Sequence, residues 1–239
     1  MDIQERRARC EALAQQYYAG VPTREEILDR AVLAHLRSDH RLLDAGCGVR
    51  APLLRQYARK TSFAVGVDLV LPPAERIDHA ALVHADLESI PFRDGTFDLI
   101  LSRSVIEHLE HPGRIFLEFG RLLRSGGKVI FTTPNKYYYS CIVARVIPFR
   151  LKDVYMKRVF ADGYDHFPVY YRANTVRAFA RIARMAGLRL RTVQAIRHYP
   201  FYLMFSPFLF RLGILYDRLI TALRVDALQS TWLVVMEKG

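Results

Sequence analysis

The stretch LLDAGCGVRAPLL, Leu42 to Leu54, carries the residues best suited to chemistry. An apolar run ends in Asp44, and Gly46 and Gly48 follow. Glycines at this spacing let the backbone turn sharply and let a ligand approach with no Cβ in the way. Gly46-x-Gly48-x-x-Ala51 also satisfies the GxGxxG/A dinucleotide pattern, a weak signal alone because many strand-to-helix turns match it. Two more acids follow, Asp68 in SFAVGVDL and Asp86 in HADLESIPF. A carboxylate at the end of the second strand of a nucleotide-binding sheet accepts from ribose hydroxyls. Asp86 is placed to accept from an adenine amino group. Three carboxylates at successive strand ends are wrong for a pyrophosphate and suit a cationic sulfonium with a free ammonium, so charge favours S-adenosylmethionine over NAD. The plainer readings are turn glycines at 46 and 48 and a helix cap at Asp86.

Those residues need strands that end where they stand. RLLDA, SFAVGVDL, AALVHADL, TFDLILSR and SGGKVIFTTP read as short apolar strands, with helical patterns at Leu53–Arg59 and at Gly113–Arg124. The second of these puts Ile115, Phe116, Phe119, Leu122 and Leu123 on one face. Arg172 to Ala186 reads as a helix that Gly187 stops. LRLRTVQAI and STWLVVMEK close the series as strands. Ahead of the sheet, Ile3 to Tyr18 reads as a helix, and Thr23 caps a second with Glu26 at the reciprocal position. The alternation predicts an α/β fold, a mostly parallel sheet with helices on both faces.

LLDAGCG, AVGVDL, HADLESIPFRDGTFDLILSRSVIEHLEHP and LLRSGGKVIFTTPN together resemble the class I S-adenosylmethionine-dependent methyltransferases, the small-molecule group sometimes called type 11. The resemblance covers roughly Leu42 to Asn135. It implies a Rossmann-like seven-stranded sheet whose last strand runs antiparallel, and S-adenosyl-L-methionine as cofactor. It implies Asp44, Gly46 and Gly48 near the methionine part, Asp68 with Leu69 at the ribose, Asp86 with Leu87 at the adenine, and Ser102 and Ser104 flanking the ligand. A third glycine is frequent at position 50, where this chain has Arg50; the loop tolerates it if the side chain points outward and Ala51 admits helix packing. Asp98 is expected to organise the sheet, and His108 in VIEHL to be structural or part of the ligand wall.

The implied layout is a single methyltransferase domain over 1–239. It has N-terminal helices at 1–38, a cofactor-binding core at 39–135, a variable substrate segment at 136–171 and an apolar helical insert at 199–225. The variable segment is aromatic and basic. Within it DGYDHFPVYYR offers His166, held in one tautomer by Asp165, as the base for an oxygen acceptor, with Tyr164, Tyr170 and Tyr171 nearby. The alternative there is a structural loop. The insert YPFYLMFSPFLFRLGILYDRLITALRV is the most unusual feature. It is too short to span a bilayer, which takes about 20 apolar residues. Phe208, Leu212, Leu215, Leu219 and Ala222 form a helical stripe flanked by Arg211, Arg218 and Thr221. An interfacial helix on an anionic membrane, a lid over a lipophilic substrate, a homodimer face and extra core packing all remain open.

The net charge of +11 suits an anionic partner, though charge alone selects none. Cys10, Cys47 and Cys141 are scattered, with no zinc or disulfide spacing; no metal is expected, and a reducing cytoplasm fits. The first residues hold no secretory h-region. The expected protein is therefore a cytoplasmic methyltransferase, with association to a membrane as an option, acting on a small or lipid-linked acceptor, with a hydroxyl favoured. Rival classes are a nucleic-acid methyltransferase, opposed by the lack of an Asp/Asn-Pro-Pro-aromatic stretch after the fourth strand; a ligand-binding protein without turnover, opposed by the intact acid set; and an NAD-dependent oxidoreductase.

Overall fold

The computed structural model describes residues 2–71, 76–146 and 167–239. A seven-stranded sheet runs β1 (Arg41–Ala45), β2 (Phe63–Asp68), β3 (Ala80–His84), β4 (Phe97–Arg103), β5 (Leu123–Pro134), β6 (Leu188–Ile196) and β7 (Thr231–Lys238), in the spatial order β3-β2-β1-β4-β5-β7-β6. β1 pairs in parallel with β2 and β4, β2 with β3, and β4 with β5. β7 is antiparallel to both neighbours. Ser125, early in β5, bonds Gly239 at 3.1 Å, while Asn135, just past β5, bonds Ser230 at 2.9 Å. Against β6, Arg191 meets Glu237, and the Ser230 hydroxyl donates to Ile196. β1 and β4 are buried almost throughout, as central strands covered on both faces must be.

The helices are α1 (Ile3–Tyr18), α2 (Arg24–Leu33), α3 (Pro52–Tyr57), α4 (Pro112–Leu122), α5 (Tyr139–Val146), α6 (Val176–Met185) and α7 (Pro207–Ala222). The Thr23 box forms as read: Glu26 N–H donates to Thr23 Oγ1 at 3.1 Å and Thr23 N–H to Glu26 Oε2 at 2.8 Å. α4 ends two residues earlier than its pattern suggests, because Leu123 is drawn into register with Phe97 as β5 begins. α6 starts at Val176 rather than Arg172 because the Thr175 hydroxyl caps Ala178 N–H. The third strand stops at His84, so Asp86 stands beyond it.

The chain divides into two compact units. One comprises 27–133, 169–194 and 232–239 and holds most of the sheet. Its core includes an edge-to-face aromatic seam, Phe119–Phe116–Phe131–Phe179, with centroids 5.4 to 5.6 Å apart, which ties α4, β5 and α6. The other comprises 1–26, 134–168 and 195–231. In it α1 and α7, far apart in sequence, bury Cys10, Phe210 and Ile214 together with Met204, and Leu13, Ala14, Tyr18 and Tyr199 close around them. Arg197 reaches the buried Asp217 at 2.8 Å, and Asn135 Nδ2 donates to the carbonyls of Ala227 and Gln229. The three cysteines are buried. Among the described residues, no helix is long and apolar enough to cross a membrane.

Candidate cofactor site

The site is built where β1, β2 and β4 end, within the unit that holds most of the sheet. After Ala45 the chain turns left-handed at Gly46 (φ +77°) and Gly48 (φ +66°). At Gly46 a Cβ would lie 2.4 Å from Val105 Cγ2, whereas at Gly48 it would enter open space. Gly46 is required by packing, then, and Gly48 leaves a bare backbone surface above the loop.

The hydrogen bonds decide which ligand that surface can take. Gly46 and Cys47 N–H both donate to the Val67 carbonyl, at 2.8 and 3.2 Å. Gly48 N–H donates to Asp68 Oδ2 at 2.7 Å, and Ala51 N–H to the Gly48 carbonyl at 3.2 Å. At α3, Pro52 has no N–H, and Leu54 N–H donates to Asp44 Oδ2 at 3.2 Å. A phosphate-binding glycine loop turns its amides toward the ligand. Here the amides of Gly46, Cys47, Gly48, Ala51 and Leu54 are bonded inside the protein, and Asp44 and Asp68 place carboxylates beside the loop. The donor set fits a cationic cofactor and not a pyrophosphate.

Asp44 is 1% exposed. Burial pushes its carboxyl up to about 7; the Leu54 amide and Arg103 pull it down, and Asp68 adds to the rise. A cation brought beside it would favour the ionised form. Asp44 has a second task. Ala51, at φ 40°, precedes α3 with no capping side chain, and the carboxylate takes the amide a cap would satisfy. Asp68 holds the loop through Oδ2 and accepts Val70 N–H through Oδ1 at 3.0 Å. Each carboxylate oxygen accepts two bonds, so Asp68 keeps acceptor capacity for ribose hydroxyls. Cys47, between these acids, has its thiol pushed up to about 12 by burial and then by Asp44 and Asp68, which makes it no nucleophile.

The other residues picked out from the sequence fall unevenly around this centre. Asp86 is exposed, and its Oδ1 accepts Glu88 N–H at 2.9 Å within a turn, not at the start of a helix. Leu87 is buried and Leu69 is 58% exposed. The Ser102 hydroxyl is spent on the Ala45 carbonyl at 2.9 Å, stitching β4 to β1. Ser104 turns left-handed (φ 57°) and donates its N–H to the Thr132 carbonyl. Arg50 is exposed, so the missing third glycine leaves the loop's turn intact. Asp98 takes Arg41 N–H at 2.7 Å and pairs with Arg124, a sheet-organising role. Tyr164, Asp165 and His166 lie outside the described residues.

Two contributors were given no role of their own in the sequence reading. Arg103, the last residue of β4, is the cation that partly offsets Asp44; a basic residue at a strand's carboxyl end was the available signal. Glu107 is the other. It is buried and accepts from Thr133 Oγ1 at 3.1 Å, while Asn174 Nδ2 donates to that same oxygen at 2.6 Å. The Glu107 carbonyl accepts the N–H groups of Tyr170 and Tyr171, at 2.8 and 3.2 Å. This brings both tyrosines of the sequence-read acceptor segment to the turn that follows β4.

The sheet carries a glycine turn after β1 whose Gly46, Cys47 and Gly48 amides are bonded within the protein, and an acid that ends β2. A family model described as a methyltransferase domain matches residues 14–193. The chain belongs to that family, the class I S-adenosylmethionine-dependent methyltransferases. It is similar to a probable S-adenosylmethionine-dependent methyltransferase of Mycolicibacterium smegmatis, 32% identical over 114 residues, which cover 45% of this chain and 43% of that protein. A ubiquinone biosynthesis O-methyltransferase of Nitrosococcus oceani is 25% identical over 67% of this chain and 68% of its own length. The chain thus matches less than half of the Mycolicibacterium protein and about two thirds of the Nitrosococcus one. A geranyl diphosphate methyltransferase solved with geranyl diphosphate and sinefungin shares the fold at TM-score 0.59 and 18% identity, covering 90% of this chain and 79% of that one.

Proposed function

We propose that the protein transfers the methyl group of S-adenosylmethionine to a small or lipid-linked acceptor, with a hydroxyl as the receiving group. The observation that carries the cofactor half is the fate of the loop amides: Gly46, Cys47 and Gly48 spend theirs on Val67 and Asp68, and leave an acidic, amide-poor surface. Asp68 would hold the ribose, and Asp44 would favour the cationic end of the ligand. The cofactor supplies an electrophilic methyl on sulfur. Transfer of that methyl to an acceptor oxygen would leave the electron pair of the broken bond with the cofactor and release the acceptor's proton to a base. The chain's part is to hold donor and acceptor in line and to take that proton. His166, with Asp165 beside it in the sequence, is the base we assign. The similarity to an O-methyltransferase of ubiquinone biosynthesis supports an oxygen acceptor attached to a lipophilic body.

The test has two arms. Calorimetry with S-adenosylmethionine, S-adenosylhomocysteine and NAD should give binding to the first two, lost in Asp68→Ala, and none to NAD. Incubation of labelled S-adenosylmethionine with a cell extract should then move label into an organic-extractable product, with His166→Ala slowing transfer while leaving cofactor affinity unchanged. Binding of NAD alone would overturn the cofactor reading, and label confined to water-soluble product would overturn the lipid-linked one.

A further inference from the structure

α7 has two opposed faces. Phe210, Gly213, Ile214, Asp217 and Ile220 are buried, the face that meets α1. On the other side Phe208 is 70% exposed, Leu215 63%, Leu219 56% and Leu212 47%, and Leu223 just past the helix is 64% exposed. At 3.6 residues per turn these side chains fall in one stripe about 100° wide. An apolar row this continuous on a surface marks an interaction site.

The charges around the stripe say what it meets. Arg211 and Arg218 are exposed along one flank, and Arg224 follows at the helix's end. The only acid in α7, Asp217, is buried and taken by Arg197 at 2.8 Å. The exposed charge of the helix is therefore wholly positive. The Arg218 guanidinium lies 5.8 Å over the ring of Tyr17, itself 41% exposed on α1, an amphipathic ring of the kind that sits at a membrane–water boundary. A second copy of the same helix would set arginines against arginines with no exposed acid on the helix to receive them. An anionic lipid surface receives the stripe in its acyl boundary and the guanidiniums on its phosphates. The 16-residue helix is about 24 Å long and too short to span a bilayer, so it would lie in the plane.

We propose that α7 is an in-plane anchor for an anionic bilayer surface, with Phe208, Leu212, Leu215, Leu219 and Leu223 immersed and Arg211, Arg218 and Arg224 on the headgroups. The test is co-sedimentation of the full chain with vesicles of phosphatidylcholine alone or with about one third phosphatidylglycerol. The expected result is binding to the anionic vesicles on the order of tenfold tighter than to the neutral ones, weakening as salt is raised. Leu215→Gln with Leu219→Gln should weaken it on the order of tenfold at an unchanged melting temperature, since both side chains already face outward. Arg211→Gln with Arg218→Gln should erase the preference for anionic lipid. A folded chain that ignores anionic vesicles, or binds them equally well in the leucine variant, overturns the proposal. So does a dimer that the leucine variant dissolves in a chain that binds no vesicle.

Discussion

Gly48 N–H donates to Asp68 Oδ2 at 2.7 Å, joining the loop after β1 to the last residue of β2. One carboxylate thereby sets the loop's shape and offers its remaining lone pairs to a ligand. Asp68→Ala should lose both roles. A hydrogen bond to a charged group contributes about 1.5–3 kcal/mol, so loss of the loop fastening alone predicts about 10- to 150-fold weaker S-adenosylmethionine binding. Asp68→Asn keeps an acceptor for Gly48 and should fall between wild type and Asp68→Ala. Calorimetric titration of the three proteins checks the order; equal affinities would show that Asp68 meets no ligand.

Asp44 gives the site a pH dependence whose direction is fixed by burial. Its carboxyl is raised from 3.8 to about 7 in the folded chain. The folded state therefore holds a proton the unfolded chain has released. The stability of the protonated form is fully present below about pH 4 and is lost as pH rises to about 7, by at most about 4 kcal/mol. Asp44→Asn should flatten that fall and raise the melting temperature at pH 8. Cofactor binding should show the opposite slope, because a cationic ligand prefers the ionised carboxylate. Affinity should improve about tenfold from pH 6 to pH 8, with proton release on binding at pH 6 and little at pH 8. Titrations in buffers of differing ionisation enthalpy measure that release directly.

The two loop glycines should fail differently when given a side chain. Gly48→Ala meets open space but must hold φ at +66°, which costs about 1–2 kcal/mol. Gly46→Ala carries the same backbone cost at +77° and also drives Cβ against Val105. It should be the more destabilised of the pair. Combining it with Val105→Ala should give a loss smaller than the sum of the two single losses, since the clash goes and the strain stays. Chemical denaturation of the four variants tests this, and simple additivity would remove Val105 from the account.

The strands, their order of appearance and the Thr23 box were legible because they rest on local signals: short apolar runs, a glycine turn, a threonine three residues ahead of a glutamate. The stripe on α7 was legible for the same reason, as helical period needs no tertiary context. The buried face opposite it was less so, because Phe210 and Ile214 pack on Cys10 from the far end of the chain. Asp86 and Ser102 were read as ligand contacts by position, but each has a close protein partner that only the fold brings near, Glu88 N–H and the Ala45 carbonyl. The direction of the loop amides, which separates a cation site from a phosphate cradle, depends on Val67 and Asp68 lying beside Gly46–Gly48. No spacing along the chain records that.

Glu107 separates positioning from cofactor binding. Its carboxylate accepts from Thr133, and its carbonyl fixes the backbone of Tyr170 and Tyr171 beside the turn after β4. Glu107→Ala leaves the buried Thr133 hydroxyl without that acceptor and should cost about 1–3 kcal/mol. Glu107→Gln keeps an oxygen for it and should cost less. The Tyr170 and Tyr171 amides bond the backbone carbonyl, which both variants retain, so the tyrosines move only as far as the turn itself loosens. The expected signature in Glu107→Ala is a raised acceptor KM at a cofactor Kd close to wild type, because Asp44 is tied to Leu54 N–H and Asp68 to Gly48 N–H. An equal loss of cofactor affinity would mean that the turn after β4 supports the glycine loop through Val105, and that the two halves of the site are held as one.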